Sequence, residues 1–495
     1  MKKLVILLLV LVVIIPVIVA CKPDGVDSVT SNDTTMAPES EKKYLDDLPD
    51  ELDFDGMQIT TLYRNGNKFY AGEENGDIVF STIYNTNIIV DERLNITRTF
   101  IPLQEEQIVD EISTSFYAQD HLYDYIPVDQ YYGVKYCLEG MYADLTQSDY
   151  LNFDQPWYYS DYMNETYVGN DVCYFIAGDA CPYIMTFSSC TFFNVDMFED
   201  LYQNNGSLMY DYVNNHTWTL DKLREMCVDA YSDVNPNQKM DLGDNLGFAT
   251  YLPSPADHFA LTCGVRTTQK NEDGTIEVIA ASEYNYDAIA KIFELWFETE
   301  GVHVIPGYLP GTDAWDSEKK VFSNGTALFH FGYLSDSFDD IIRSMDDSYG
   351  IVPRPLLDEK QPSYLSSTHN GVYLIGVLSN IPEEKWDAVC MLLEAQGSEN
   401  YRKVYPAIFE QALQAKYIRD EANYENAVKM IDIIHDNIYT EFGYVYAESL
   451  SELGRFPGFL FQNISADYAS YYAARATAIQ EQMDELNLAF EELFD

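Results

Sequence analysis

Gln58-Ile59-Thr60-Thr61-Leu62-Tyr63, followed at once by Arg64-Asn65-Gly66-Asn67, is the stretch on which the fold turns. Its β-branched and aromatic residues suit a pleated strand, and the Asn-Gly loop ends it. Beyond the loop, Ile78, Ile83, Ile89 and Leu94 recur at near-helical spacing, and Ile96 to Ile101 is a second β-branched run. A helix is expected over about 104–118, a third strand at Tyr123-Asp124-Tyr125-Ile126, and another helix near 129–140. Alternation of this kind predicts a parallel sheet with helices on both faces. Ligands on such sheets sit beyond the carboxyl ends of the strands, which directs attention to the loops after Tyr63 and Ile126.

Further along, Asp171 to Ile176 leads into Ala177-Gly178-Asp179, and Ile184 to Asn194 reads as a strand. Thr219 starts a helix as its N-cap, with the apolar stripe Leu220, Leu223, Cys227 and Ala230. Helical pattern returns at 284–300, a buried strand lies within Val321 to Gly332, and Tyr349 to Pro353 and Gly371 to Leu378 are further strands. From 383 onward the chain is mostly helical, and there is no internal repeat.

The 495 residues hold 29 Lys and Arg against 81 Asp and Glu, a formal charge of −52. A charge of that sign excludes non-specific binding to nucleic acid, which needs a basic stripe, and it disfavours anionic ligands. A ligand that is neutral, cationic or metal-assisted remains. With 47% hydrophobic residues the chain is long and apolar enough for a large buried core. Forty tyrosines stand beside 5 tryptophans. A tyrosine has a flat apolar face and a hydrogen-bonding tip, which suits a polyhydroxylated ligand and equally suits plain core packing.

Lys2 and Lys3 precede an apolar run from Leu4 to Val19 that is short for a membrane span and reads as an export signal. It closes on Ile18-Val19-Ala20-Cys21, which resembles a bacterial lipobox, with Cys21 as the lipidated residue. Residues 22–45 are polar, with Pro23 and Pro38, and read as a flexible tether. Seven cysteines remain, an odd number without a C-x-x-C, so zinc and thioredoxin-like chemistry are not expected. Cys173 and Cys181 could form a local bridge, and buried free thiols are the alternative.

The order of segments resembles the extracellular solute-binding proteins of family 1 type that serve bacterial ABC importers, many of them for sugars. The resemblance runs from about Gln58 to Tyr446. It is carried by Leu145 to Trp157, Tyr174 to Asp179, Phe193 to Phe198, Trp218 to Leu223, the Asp/Asn-rich loop from Asp233, Phe322 to Phe331, Tyr349 to Pro353, and Tyr417-Ile418-Arg419-Asp420. It implies an α/β fold of the periplasmic-binding-protein-like class II, two discontinuous α/β lobes joined by crossover hinge strands. Lobe one would hold 46–178 with 333–378, and lobe two 179–332 with 379–495. The crossovers would fall near Gly178-Asp179, Gly332-Tyr333 and Leu378. It further implies a monomeric, lipid-anchored binding protein, not an enzyme, on the extracellular face of the cytoplasmic membrane. Such a protein captures a small neutral solute, a carbohydrate by preference, and passes it to ABC permease subunits.

Sugar recognition needs aromatic faces and planar polar groups. Asp179 and Tyr333 stand at expected crossovers, and Tyr251 follows the strand-like Gly247 to Thr250. Arg64, Asn65, Gln130 and Tyr131 lie at strand-to-helix loops, Asn370 precedes a strand, and Trp315 sits in a polar loop. Tyr471, with Tyr472, occupies a late helix, where relatives offer another aromatic.

Asp233, Asn235, Asn237, Lys239 (through its carbonyl), Asp241 and Asp244 fall at positions 1, 3, 5, 7, 9 and 12 of an EF-hand-like loop, the spacing for a structural Ca²⁺. Gln238 replaces the usual glycine at position 6, and Asp244 the longer glutamate at 12. An empty Asn turn is the alternative. There is no H-E-x-x-H, G-x-S-x-G, P-loop or Rossmann fingerprint. The main rival function is a lipid-anchored surface glycoside hydrolase using a carboxylate pair. A repeat-built adhesin would show periodicity, which is absent.

Overall fold

Met57–Arg64 and Ile96–Leu103 lie side by side as a parallel pair, Met57 opposite Ile96 and Arg64 opposite Leu103. The computed structural model describes residues 43–493 apart from 75, 204–205, 306–313 and 415–420. The expected signal segment with Cys21, nearly all of the expected tether, and Tyr417 to Asp420 lie outside the described residues. Helix Ile78–Leu94 connects the first two strands, and the Asp77 carboxylate caps it by accepting from the amides of Val79 and Phe80. Tyr125–Asp129 joins the same sheet at Thr60, whose carbonyl accepts from the Asp124 amide at 2.8 Å. Tyr373–Val377 completes it, antiparallel to Tyr125–Asp129, and both of these strands are buried along their whole length. A strand buried on both faces needs helices on both sides, as the alternation predicts.

A second sheet is built around Thr191–Asn194, flanked antiparallel by Tyr349–Val352 and Phe329–His330. The Phe329 amide donates to the Gly247 carbonyl at 2.8 Å, which leads on to Phe248–Thr250 and its parallel neighbour Val302–Val304. The predicted helix at Thr219 spans Leu220–Ala230, and Thr219 caps it as expected.

Several expectations change: the sheet expected to be parallel is mixed, since Tyr373–Val377 runs antiparallel, and Trp315, expected in a polar loop, lies in helix Ala314–Ser323. The run Ile184 to Asn194 is a strand only over Thr191–Asn194, because Pro182 opens the short helix Pro182–Thr186. The expected helix near 129–140 is a 3₁₀ segment, Val134–Glu139, bounded by Gly133 and Gly140.

Where the two sheets meet, Ser188–Cys190, Gly332–Tyr333 and Ser366–Thr368 run side by side. The Cys190 amide donates to the Gly332 carbonyl at 3.0 Å and the Ser189 amide to the Ser367 carbonyl at 2.8 Å. Gly332 is required there, since a Cβ would lie 1.9 Å from Asp336 Oδ2. First-sheet pairing continues through Ile176, opposite Ile375, and Leu378, opposite Tyr142. The chain therefore leaves that sheet beyond Gly178 and re-enters it before Tyr373. The long helix Glu383–Gln414 packs on Ile78–Leu94, where Thr86 Oγ1 donates to Asn400 Oδ1 at 2.9 Å. All seven cysteines among the described residues are buried and unpaired, so Cys173 and Cys181 form no bridge. Among the described residues no helix is long and apolar enough to cross a membrane.

Candidate functional site

Helix Ala314–Ser323 places Trp315 over the sheet junction, partly exposed. Its ring stacks on Tyr333, with centroids 5.1 Å apart and planes 14° from parallel. Tyr333 is only 5% exposed, so it backs the platform and Trp315 presents it. The Tyr333 hydroxyl and His258 Nε2 share a hydrogen bond of 2.6 Å, and the Ser254 hydroxyl lies 3.3 Å from the same nitrogen. Burial holds the Tyr333 phenol well above its ordinary pKa and the His258 imidazole well below its own, so both groups are neutral. On the other edge His258 Nδ1 shares a hydrogen bond of 3.0 Å with Ser367 Oγ.

His369 closes the group, 6.1 Å from Trp315 and 6.0 Å from Tyr333. Burial, then the cations Arg455 and Arg64, push its pKa down to about 4. Its Nδ1 accepts from the Gly371 amide at 3.0 Å, which leaves the proton on Nε2. Two neutral imidazoles beside stacked rings suit an uncharged ligand.

A second group lies alongside. The Arg455 guanidinium sits 5.4 Å over the Tyr131 ring, 3.0 Å from Glu452 and 3.8 Å from Asp257. The Tyr131 hydroxyl donates to Glu452, and Lys135 pairs with Glu448 at 2.8 Å. These contacts tie the loop after Tyr125–Asp129, in the first sheet, to the segment 447–455.

Of the residues expected from sequence, Trp315, Tyr333 and Tyr251 come together, Tyr251 lying close enough to raise the Tyr333 phenol further. Asn370 is next to His369, and Tyr131 meets Arg455. Arg64 pairs with Glu105 at 2.8 Å and bears on His369, whereas Asn65 beside it is exposed. Gln130 is fully buried, its carbonyl accepting from the Tyr162 hydroxyl. Tyr471 packs on Arg475, 3.7 Å from its guanidinium, and edge-on to Phe456. Asp179 is spent inside the protein: it is 3% exposed, accepts from the Tyr159 hydroxyl at 2.8 Å, and stands 3.5 Å from His435 Nε2.

Sequence reasoning did not single out His258, His369, Arg455, Glu452 or Asp257. His258 and Asp257 do stand in Ser254-Pro255-Ala256-Asp257-His258, directly after Tyr251, which was the one available signal.

The Asp179–His435 contact has a pH consequence. Burial lowers the His435 pKa, but Asp179 and then Asp436 outweigh it and raise it from 6.5 to about 9. The folded state therefore binds a proton that the unfolded chain releases. The stabilisation is complete below pH 6.5 and is lost as pH rises through about 9. It is worth on the order of 3 kcal/mol. His435→Gln is expected to remove that decline in urea unfolding measured from pH 6.5 to 9.5, and an unchanged decline would contradict it.

In the oxygen-rich loop, the Asp233 carboxylate accepts from the amides of Asn237 and Gln238 at 3.2 and 2.9 Å. Gln238, at the position where such loops carry glycine, has φ +60°, in the left-handed region. Asp244 is fully buried, and its Oδ1 has no hydrogen-bond partner among the described residues. The Asp241 carboxylate accepts from the side-chain amides (Nδ2) of Asn235 and Asn237. Among the described residues no three His, Cys, Asp or Glu side chains converge on a metal-sized site. A cation here would thus depend on Asn and backbone oxygens as well, and the orphaned Asp244 oxygen fits one.

No family model matches the chain, and no curated protein matches it. Solved structures do. The galacto-N-biose-/lacto-N-biose I-binding protein of the ABC transporter from Bifidobacterium longum, in complex with lacto-N-biose, is 12% identical, with 89% of this chain and 98% of that one covered at a TM-score of 0.52. An ABC transporter solute-binding protein from Thermotoga lettingae bound with α-D-tagatose is 10% identical over 86% and 100%, at 0.52. An ABC substrate-binding protein from Listeria monocytogenes in complex with cycloalternan is 12% identical over 88% and 100%, at 0.50. What is shared at such identity is the fold. The chain has the fold of ABC transporter solute-binding proteins, the periplasmic-binding-protein-like class II, with two α/β lobes.

Proposed function

We propose that this protein is the lipid-anchored solute-binding component of an ABC importer, which captures a neutral carbohydrate between its lobes. Capture is followed by delivery to permease subunits from the extracellular face of the membrane, with the protein acting as a monomer and catalysing no reaction. We assign the lobes by sheet membership: Met57–Leu103 with Tyr373–Val377 and Glu383–Gln414 on one side, and the sheet around Thr191–Asn194 on the other, which moves 383–414 out of the second lobe and 349–352 out of the first, where sequence order puts them. The observation that carries the reading is the Trp315–Tyr333 stack with two neutral histidines at the junction of the sheets. A flat apolar face meets the C–H side of a sugar ring, and uncharged donors and acceptors meet its hydroxyls. Proteins with this fold that bind lacto-N-biose, tagatose and cycloalternan support the ligand class. A ligand that touches both lobes biases them toward closure.

A thermal-shift screen of neutral mono- and oligosaccharides, with peptides as controls, tests this reading. At least one saccharide should raise the melting temperature and be recovered intact. No stabilisation by any saccharide sinks the carbohydrate reading, and recovery of hydrolysed glycoside would favour a surface hydrolase.

The loop Asp233–Asp244 is proposed to hold a structural Ca²⁺, supported by its spacing, the left-handed Gln238 and the orphaned Asp244 oxygen. At a hundredfold excess over Kd, calcium would stabilise the fold by about 2.7 kcal/mol. A chelator should lower the melting temperature of the wild type but not of Asp244→Asn. Equal melting temperatures with calcium and with chelator would refute the site.

A further inference from the structure

Three stretches distant in sequence meet at the junction, and one side chain from outside them connects all three. His258, on helix Ser254–Thr262, is 1% exposed. Its Nε2 is hydrogen-bonded to the hydroxyl of Tyr333, and its Nδ1 to Ser367 Oγ. Ser367 Oγ is in turn 3.1 Å from Ser189 Oγ. Backbone bonds run parallel to this relay, from the Ser189 amide to the Ser367 carbonyl and from the Cys190 amide to the Gly332 carbonyl. The ring also stands edge-on to Tyr333, centroids 5.3 Å apart, and 6.2 Å from both His369 and Tyr444.

A buried position among aromatic rings would pack as well with an apolar side chain. Imidazole adds two polar edges pointing in different directions from one rigid ring. One edge holds the residue behind the Trp315 platform. The other holds the strand that leads back into the first sheet. Tyr333 is held from other sides too: Asp336 Oδ2 accepts from its amide at 3.2 Å, and Arg354 Nη2 donates to the preceding Phe331 carbonyl at 3.1 Å. Neither of those contacts reaches Ser189 or Ser367. The backbone already pairs Tyr333 with Ser189, and His258 adds the side-chain tie from Tyr333 to Ser367.

We propose that His258 is a positioning residue that locks the Trp315–Tyr333 platform to the three junction segments, so that seating a solute and setting the hinge are one coupled event. The proposal deepens the solute-capture reading and rests on it for the nature of the solute. The link itself is a property of the ligand-free protein.

Hydrogen exchange on the ligand-free protein provides the test, with ¹⁹F spectra of 5-fluorotryptophan-labelled protein in which Trp315 is assigned through Trp315→Phe. His258→Leu should cut amide protection about tenfold at Ser189 and Cys190, leave the strand Met57–Arg64 protected, and shift the Trp315 resonance. His258→Gln places an amide near the Nε2 position and His258→Asn near the Nδ1 position. The first should restore the Trp315 resonance, and the second should restore protection at Ser189. A loss of protection spread evenly over the whole molecule, or none at the junction, overturns the proposal, as does a Trp315 resonance unmoved in all three variants. Failure of the wild type to bind any saccharide would count against the solute reading alone, because the exchange experiment contains no ligand.

Discussion

Trp315→Ala is expected to weaken capture of the cognate saccharide by about 10- to 100-fold, which corresponds to about 1.4–2.8 kcal/mol. The ring is partly exposed and lies parallel to Tyr333, so a sugar that stacks on it loses an apolar face and gains open water. Stability should change far less, by about 1 kcal/mol, because the lost contact is one aromatic pair at the edge of the core. Trp315→Phe should recover part of the affinity. Isothermal titration of the three proteins with the best saccharide from the screen reads the effect directly. Equal affinities would remove Trp315 from the site, whatever the ligand is.

The second large effect concerns the fold. Asp46 and Arg93 are joined by two hydrogen bonds, at 2.7 and 2.9 Å, with side chains 0% and 1% exposed. Arg93 also donates to the Pro49 carbonyl at 3.2 Å and lies 3.6 Å from the Tyr44 ring centre. The Asp46 amide donates to Ser398 Oγ at 3.2 Å. This clamp fastens the start of the folded body to the helices Ile78–Leu94 and Glu383–Gln414. Asp46→Ala leaves a buried guanidinium without its counter-charge, which costs about 3–5 kcal/mol. Urea unfolding of the variant should show a loss of that size. Replacing both partners, Asp46→Leu with Arg93→Met, should recover most of it, since no buried charge is then left alone. A single variant as stable as the wild type would contradict the clamp.

Strong local signals carried much of the architecture. The β-branched run Gln58–Tyr63 and its partner Ile96–Ile101 pair as expected, and Thr219 caps its helix, because each is decided by period and capping within a few residues. Apolar runs without period were the weak point: Ile184 to Asn194 fits a strand or a helix equally, and Pro182 tips its start to helix. The site was legible in part. Trp315, Tyr333 and Tyr251 are aromatic residues near chain passages, and the fold does gather them. His258 and His369 look isolated along the chain, among seven scattered histidines. Only the antiparallel return of Tyr373–Val377 and the meeting of the junction strands bring them to 6.2 Å. Asp179 has the right place in sequence order, but Tyr159 and His435 reach it from distant segments that no local pattern announces.

The central claim, capture between lobes that close, is most directly read from the distance between them. Tyr84 lies exposed on helix Ile78–Leu94 and Val228 on helix Leu220–Ala230, one helix on each sheet. The seven cysteines among the described residues are buried, so dyes are best introduced at these two positions through unnatural amino acids. Single-molecule energy transfer should show a shift to one new distance at saturating saccharide, reversed on dilution and absent in Trp315→Ala at the same concentration. An unchanged distance distribution while the saccharide is demonstrably bound, or a distance that relaxes as the saccharide is hydrolysed, would contradict it.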